Sequence, residues 1–381
     1  MSSIADSKIP PDAHQYLLPH QDMSVMEFIK FKVPMIQPST SFTKPEQYFL
    51  TGAPNTNDLN DIQHLPMPPH SVVESLAKSM PVAKYQSIQC PHISTAEGVQ
   101  YPLWIIRYWV ELISLRNIRQ KWLKADESLQ KQSKPRKGIP ATDHGLIRNV
   151  YSALSCIPWN RNIQGFSASV GTEYLAAYAT TEWLKDERIT RMLDLLRCDV
   201  IREGLSQSVE VETIWFLPNL KHGYRDQEGY ASHASYRWIH AQGQALSTGS
   251  CSQLAMIGNI GGNHWISLVI DIIQETVFYG DSLGMNINDG LREELDWWTH
   301  LHTGCFFDYR ELPITHQQDG YLCGLLAWHA LVAFIFKGEH PLVSPSCVAQ
   351  EHLKVLLRVA EKHHEHMPVV QQFCLRWPGM I

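Results

Sequence analysis

The stretch Ile314–Ala330, ITHQQDGYLCGLLAWHA, decides how this chain is read. Cys323 and Gly324 stand at the head of an apolar run, Leu325 to Phe336, that predicts a buried helix. A cysteine opening such a helix has the first backbone N–H groups and the positive end of the helix dipole facing its sulfur. That environment is expected to lower its pKa and favour the thiolate. Gln317 lies six residues upstream, with the turn pair Asp319-Gly320 between. An amide held beside a nucleophile can donate an N–H to a developing oxyanion.

Working outward, Gly262-Asn263-His264-Trp265 opens a β-branched run reaching Ile273, and Thr276 to Tyr279 leads into Asp281-Ser282-Leu283. The polar break at Gln274-Glu275 predicts a hairpin bending over Ile272 to Glu275. Its return brings Asp281 close to His264, seventeen residues earlier. Leu254 to Ile260 is a further strand candidate, Leu291 to His302 a helix and Phe306 to Leu312 a short strand. Base (His264), orienting carboxylate (Asp281), oxyanion donor (Gln317) and nucleophile (Cys323) together predict a cysteine peptidase. Each residue alone is more often structural, since a buried cysteine is usually inert packing. The order and spacing in combination carry the reading.

The remainder of the chain is less informative. Residues 1–100 hold twelve of the 22 prolines and are expected to form an irregular Pro-rich arm. From Pro102 a helix is predicted to about Gln130, with Trp104, Tyr108, Leu112, Leu115 and Trp122 near one face. With the basic stretch that follows, it makes a second region, 101–145, and the remaining residues, 146–381, form the enzymatic domain. The cluster Lys131 to Lys137 suits a solvated linker or a nuclear import signal. Thr180 or Thr181 is expected to cap a helix running through Leu184 and Ile189, Ile214 to Leu217 to form a short buried strand, and 221–250 to be loop or short helix. The tail from Ser346 to His364 is predicted helical, with His363, His364 and His366 at its surface.

Net charge is −6 over 381 residues, with a sequence pI near 6.3, which gives no electrostatic reason to expect direct nucleic-acid binding. Eight cysteines are scattered without a CxxC pair, so neither a zinc site nor any other metal or cofactor is expected. The N-terminus lacks a basic start and apolar core, and the longest apolar run is interrupted by His329 and too short to span a bilayer. An intracellular location, nuclear or cytoplasmic, is the expectation, with no membrane contact.

The elements His264-Trp265, Asp281-Ser282-Leu283 and Gln317-Gln318-Asp319-Gly320-Tyr321-Leu322-Cys323-Gly324 resemble the signature of the ubiquitin-like-protein-specific proteases, the Ulp/SENP family of SUMO-protease-like cysteine peptidases. Trp183 to Ile189 (WLKDERI) resembles that family's W-L-N-D-x-x-I segment, and the likeness covers residues 150–345. The resemblance implies an α+β, papain-like fold with a central mixed sheet flanked by helices. It also implies hydrolysis after the C-terminal Gly-Gly of SUMO or a related ubiquitin-like modifier. Trp183 and Trp265 match the tryptophans that clamp the diglycine tail, and Asp186 matches an aspartate that can pair with an arginine of the modifier. Asp186 is equally suited to the first turn of a helix. Leu322 replaces the family's usual Asp and Lys185 its usual Asn, while 221–250 has no counterpart. Residues 1–145 lie outside the likeness, and their Trp-rich helix resembles Ulp-like proteins associated with fungal transposable elements. Two other readings fit a Cys–His–acid set: an acetyltransferase on a related scaffold, which needs a basic cofactor site not evident here, and a non-catalytic modifier-binding module.

Overall fold

A computed structural model describes residues 8–36, 44–79, 85–89, 98–135 and 142–367. They fall into two compact units, Met1–Lys124 with Leu154–Asn160, and Ala125–Ala153 with Arg161–Ile381.

The first unit holds the helices α1 (Pro11–Leu17), α2 (Val25–Lys30), α3 (Leu59–His64) and α4 (His70–Lys78), and α5 (Ile105–Gln132) through Lys124. Three two-residue strands, β1 (Phe49–Leu50), β2 (Ser87–Ile88) and β3 (Tyr101–Pro102), form a small antiparallel sheet. The described residues among 1–100 therefore carry more regular structure than the irregular arm expected there. The helices there are six to nine residues long, too short for periodicity to stand out. Prolines sit at their beginnings, Pro11 in the first turn of α1 and Pro69 just before α4, where no N–H is needed. Ser24 and Glu27 cap α2 reciprocally, each side chain taking the other's backbone N–H. Phe28 stacks on Trp159 at 4.1 Å, and Arg119 of α5 donates to the Ile29 carbonyl at 2.7 Å. Helix α5 begins at Ile105 rather than Pro102, which belongs to β3, and runs to Gln132; Trp109 and Trp122 are buried. The basic cluster begins inside it, with Lys131 paired to Glu127; Arg136 and Lys137 lie outside the described residues.

The second unit is built on a mixed sheet of five strands in the order β4 (Val209–Val211), β5 (Gln253–Ile260), β6 (His264–Asp271), β7 (Thr276–Gly280), β8 (Asp308–Glu311). The central β5, β6 and β7 run antiparallel, and the outer strands join in parallel. Every residue of β6 is buried, so both of its faces are covered. Ile266, Leu268 and Ile270 face a core shared with α8 (Phe216–Arg225), α10 (Arg237–Ser247) and α11 (Asp289–Thr303). None of the three is exposed, and each such side chain contributes about 1.5–3 kcal/mol. On the other side α12 (Cys323–Ile335) lies against β6 and also packs on α7 (Asp186–Arg202). Helix α6 (His144–Leu154) meets the end of α5 through the Tyr151 hydroxyl, which donates to Asp126 at 2.8 Å, and α13 (Val348–Glu365) packs against α7. The unit is an α+β fold with helices on both faces of a mixed sheet. Among the described residues no helix is long and apolar enough to cross a membrane.

Several local expectations are corrected. Ile214 to Leu217 is not a strand: α8 starts at Phe216, and Phe216, Leu217 and Leu220 share a helical face on the core. The edge strand precedes it, at Val209–Val211, too short to read as a pattern. The 221–250 segment is mostly helical, including the single turn α9 (Gln227–Tyr230), and is fastened by aromatic groups. The Tyr230 hydroxyl accepts from Trp298 Nε1 at 2.8 Å and bonds His302 Nε2 at 3.0 Å, and burial pushes His302 down to about 4. Neither Thr180 nor Thr181 caps α7, which begins at Asp186 behind Lys185. His363 and His364 are buried rather than on the surface, and only His366 is exposed. His363 Nδ1 accepts the Gln164 amide at 3.0 Å, and burial pushes its imidazole down to about 4.

Gly324 permits the approach of α12 to β6. A Cβ there would sit 2.6 Å from Ile189 Cδ1 and 3.1 Å from Trp265 Cδ1. The isoleucine end can swing aside, but the Trp265 ring is pinned by its Nε1 bond to the Leu184 carbonyl at 2.7 Å. Gly324→Ala is therefore expected to destabilise the fold by about 1–3 kcal/mol, outweighing the better helix propensity of alanine. Thermal unfolding of the two proteins checks this: the midpoint should fall by about 2–4 °C per kcal/mol, and an unchanged or raised midpoint would contradict it.

Candidate active site

Strand β6 starts at His264 because Gly261 and Gly262, at φ 65° and 79°, close the hairpin from β5 with the left-handed backbone that glycine tolerates. The imidazole is buried, and its Nε2 lies 2.8 Å from Asp281 Oδ1. The hairpin that joins β6 to β7 delivers the carboxylate, as its spacing predicts. Asp281 is 4% exposed, and three donors satisfy it: His264, the Leu283 amide at 2.7 Å on the same oxygen, and the Tyr279 hydroxyl at 3.2 Å on the other. These hydrogen bonds offset the cost of burying its charge. With the Nε2 proton held by Asp281, His264 Nδ1 is left as the proton acceptor.

Gln317 is tied to the residue after Asp281 at two points. Its backbone N–H donates to the Ser282 carbonyl at 2.9 Å, and its side-chain Oε1 accepts the Ser282 hydroxyl at 3.0 Å. The turn between Gln317 and the cysteine is held by Asp319, whose Oδ1 accepts the amides of Tyr321 and Leu322 at 3.0 and 3.1 Å. Cys323 is the first residue of α12.

The sulfur meets an environment different from the one expected. Burial pushes the Cys323 thiol up, and the Trp265 backbone, the Trp183 side chain and the Gly324 and Cys323 amides draw it only part of the way back. A helix N-terminus is worth about 1 kcal/mol or less at ordinary sites, too little to counter full burial. Burial thus disfavours the thiolate in the resting site, and only 1% of Cys323 is exposed.

Two indoles stand beside the sulfur, Trp265 through its backbone and Trp183 through its side chain. Trp183 and Trp265 stack with ring centroids 5.5 Å apart and planes 16° from parallel. An open slot between them, wide enough for a peptide, needs about 7 Å between ring planes and is not present here. Trp265 is fully buried, while Trp183, on the irregular segment before α7, is half-buried. Asp186 is exposed on the first turn of α7. The structure thus joins His264 to Asp281 directly, Gln317 to that pair through Ser282, and Cys323 to the start of β6 through the Trp265 backbone. Sequence reasoning assigned no role to Ser282 or Tyr279, although Ser282 stood inside the quoted motif. Among the described residues no group of three or more His, Cys, Asp or Glu is placed to hold a metal ion.

Comparison with known families matches residues 182–300 to the Ulp1 protease family, C-terminal catalytic domain. Residues 182–300 are thus part of a Ulp1-type cysteine peptidase domain. No curated protein matches it by sequence. Among solved structures it is similar to SUMO protease Ulp1 with the catalytic cysteine oxidised to a sulfinic acid, at 18% identity over 59% of this chain and 98% of that one, with a TM-score of 0.44. It is also similar to the C-terminal Ulp1 protease domain in complex with Smt3, the yeast ortholog of SUMO, at 18% identity, 60% and 99% coverage and a TM-score of 0.45. The Xanthomonas campestris effector XopD bound to ubiquitin matches at 21% identity, 46% and 92% coverage and a TM-score of 0.32. The Ulp1-family match spans α7 to α11 and contains Trp183, His264 and Asp281; Gln317 and Cys323 follow it in the chain.

The stacked lid gives a test independent of any substrate. Trp183→Ala should raise the alkylation rate of Cys323 by iodoacetamide, read peptide by peptide by mass spectrometry. In the wild-type protein the labelling midpoint should lie above the ordinary thiol value of about 8.5, because a raised pKa moves thiolate formation to higher pH. Burial is the larger of the opposing influences on this thiol, so the variant's midpoint should move down. Equal rates and midpoints in both proteins would show that Trp183 does not cover the sulfur.

Proposed function

We propose that this domain hydrolyses the peptide or isopeptide bond after the C-terminal Gly-Gly of SUMO or a related ubiquitin-like modifier, with Cys323 as nucleophile. The observation that carries the reading is the 2.8 Å His264–Asp281 bond at the start of the strand against which the Cys323 helix packs. The Ulp1-family match over 182–300 supports the substrate class.

As the Cys323 sulfur attacks the carbonyl carbon of the last glycine, the thiol proton passes to His264 Nδ1. Asp281 stabilises the imidazolium that results. The carbonyl oxygen becomes an oxyanion, met by the Gln317 Nε2 and the Cys323 backbone N–H. Collapse breaks the C–N bond, and His264 returns the proton to the departing amine, the α-amine of a peptide or the ε-amine of a lysine. His264 then deprotonates water, which attacks the thioester and releases the modifier carboxylate and the Cys323 thiol.

A flat indole suits a tail without side chains, because it covers two glycines and rejects bulkier residues. Trp183 is the wall on this reading. Trp265 acts from behind it, and Asp186, exposed on α7, is free to meet an arginine of the modifier.

A modifier bearing a C-terminal fluorogenic amide, supplied to the full chain, tests the assignment. Cys323→Ala should abolish turnover, and Asp281→Asn should lower kcat by about 10²–10⁴-fold. Gln317→Ala should lower kcat by about 10²–10³-fold, the usual cost of one oxyanion donor. No release by the wild type, or equal release by Cys323→Ala, would refute the reading.

A further inference from the structure

Ser282 is fully buried just past the end of β7, beside Asp281, and its carbonyl and hydroxyl are both spent on one residue. Its carbonyl accepts the Gln317 backbone N–H, fixing where that side chain begins. Its hydroxyl donates to Gln317 Oε1 at 3.0 Å, fixing how the amide is turned. A glutamine amide has two ends of nearly equal size, a carbonyl that accepts and an NH2 that donates, and only the second can stabilise an oxyanion. A hydroxyl that donates into Oε1 leaves Nε2 as the open end. Ser282 has no exposed surface and Gln317 is half-buried, so the bond is sheltered from bulk water on the serine side.

We propose that Ser282 is a positioning residue, whose hydroxyl selects the orientation of the Gln317 amide that presents Nε2 to the oxyanion. The proposal rests on the oxyanion role assigned to Gln317 above. Asp281 and Ser282 then divide the work between neighbours, the first orienting the base and the second orienting the oxyanion donor. Because they are adjacent in the chain, a shift of the β7 end moves both partners together. The two functions stay in register without a contact between His264 and Gln317.

The test is a double-mutant cycle with the full chain and the fluorogenic modifier substrate. Ser282→Ala should lower kcat about tenfold with KM unchanged, the effect of one net hydrogen bond on an interaction made in the transition state. In a Gln317→Ala background the same substitution should cost nothing further, since no amide remains to orient. Ser282→Thr, which retains the hydroxyl, should recover most of the rate. Alkylation of Cys323 should run at the wild-type rate in Ser282→Ala, because the His264–Asp281 pair and the Trp183 cover do not involve the hydroxyl. An undiminished kcat, an equal loss in the Gln317→Ala background, or altered alkylation would overturn the proposal. The first two outcomes leave the peptidase assignment standing, whereas an inactive wild-type protein removes both.

Discussion

The close approach of α12 to β6 is the constraint on which the site depends. A thiol at the start of a helix and an imidazole at the start of a strand become neighbours only if the two elements pack without a layer between them. Two features of the sequence make that possible. Gly324 removes the side chain that would hold the helix off, and Trp265 offers a flat ring, locked to Leu184, for the helix to rest on. Burial of β6 on both faces supplies the driving force: Ile266, Leu268 and Ile270 fix the strand to the α8–α10–α11 side, and α12 closes the other. The interior is close-packed, so a displacement of either layer would be transmitted to the catalytic geometry.

The second organising element is the end of β7. Gly280 stands where a Cβ would come within 2.6 Å of Ser267 Oγ and 3.1 Å of the Leu312 carbonyl, so the strand end is held tightly between its neighbours. Asp281 and Ser282 follow immediately and inherit that rigidity. A buried carboxylate with three donors is costly to move, since any displacement leaves a charge without partners. Polar groups chosen this way fix one arrangement of the site even where their net contribution to stability is small.

The sequence was most legible where chemistry and periodicity coincide. The strands around 254–279, the hairpin that brings Asp281 to His264, the α11 and α12 helices and the long helix after Pro102 follow from alternation, turn residues and helical spacing. Legibility failed where tertiary packing overrides local pattern. Phe216 and Leu217 are as apolar as a buried strand but sit on a helix face, because the core they meet is presented by helices. His363 looked like surface because histidine usually is, yet Gln164 supplies a partner from the far side of the sequence. The N-terminal elements are too short to carry a period. The surroundings of Cys323 differ from expectation for a related reason: the helix dipole is visible in sequence, whereas the burial that pushes the thiol up comes from tertiary packing.

That last difference changes how the proposed enzyme is understood. A site with a preformed thiolate would be open and always reactive. Here the imidazole and carboxylate are already paired, but the thiol is buried, which pushes its pKa up, and the Trp183 and Trp265 indoles beside it are stacked on each other. Oxidation of cysteine follows thiolate character and access, so both features protect the sulfur between turnovers. Attack on a substrate requires the cover to be displaced, and a thin tail that can take the place of the Trp265 face under Trp183 offers the indole a replacement contact. A bulkier chain separates the rings without restoring that contact. On the proposed reading, selectivity for a glycine tail and quiescence in its absence would arise from one stacking interaction, because the energy that closes the site would be recovered only by a substrate flat enough to be stacked upon.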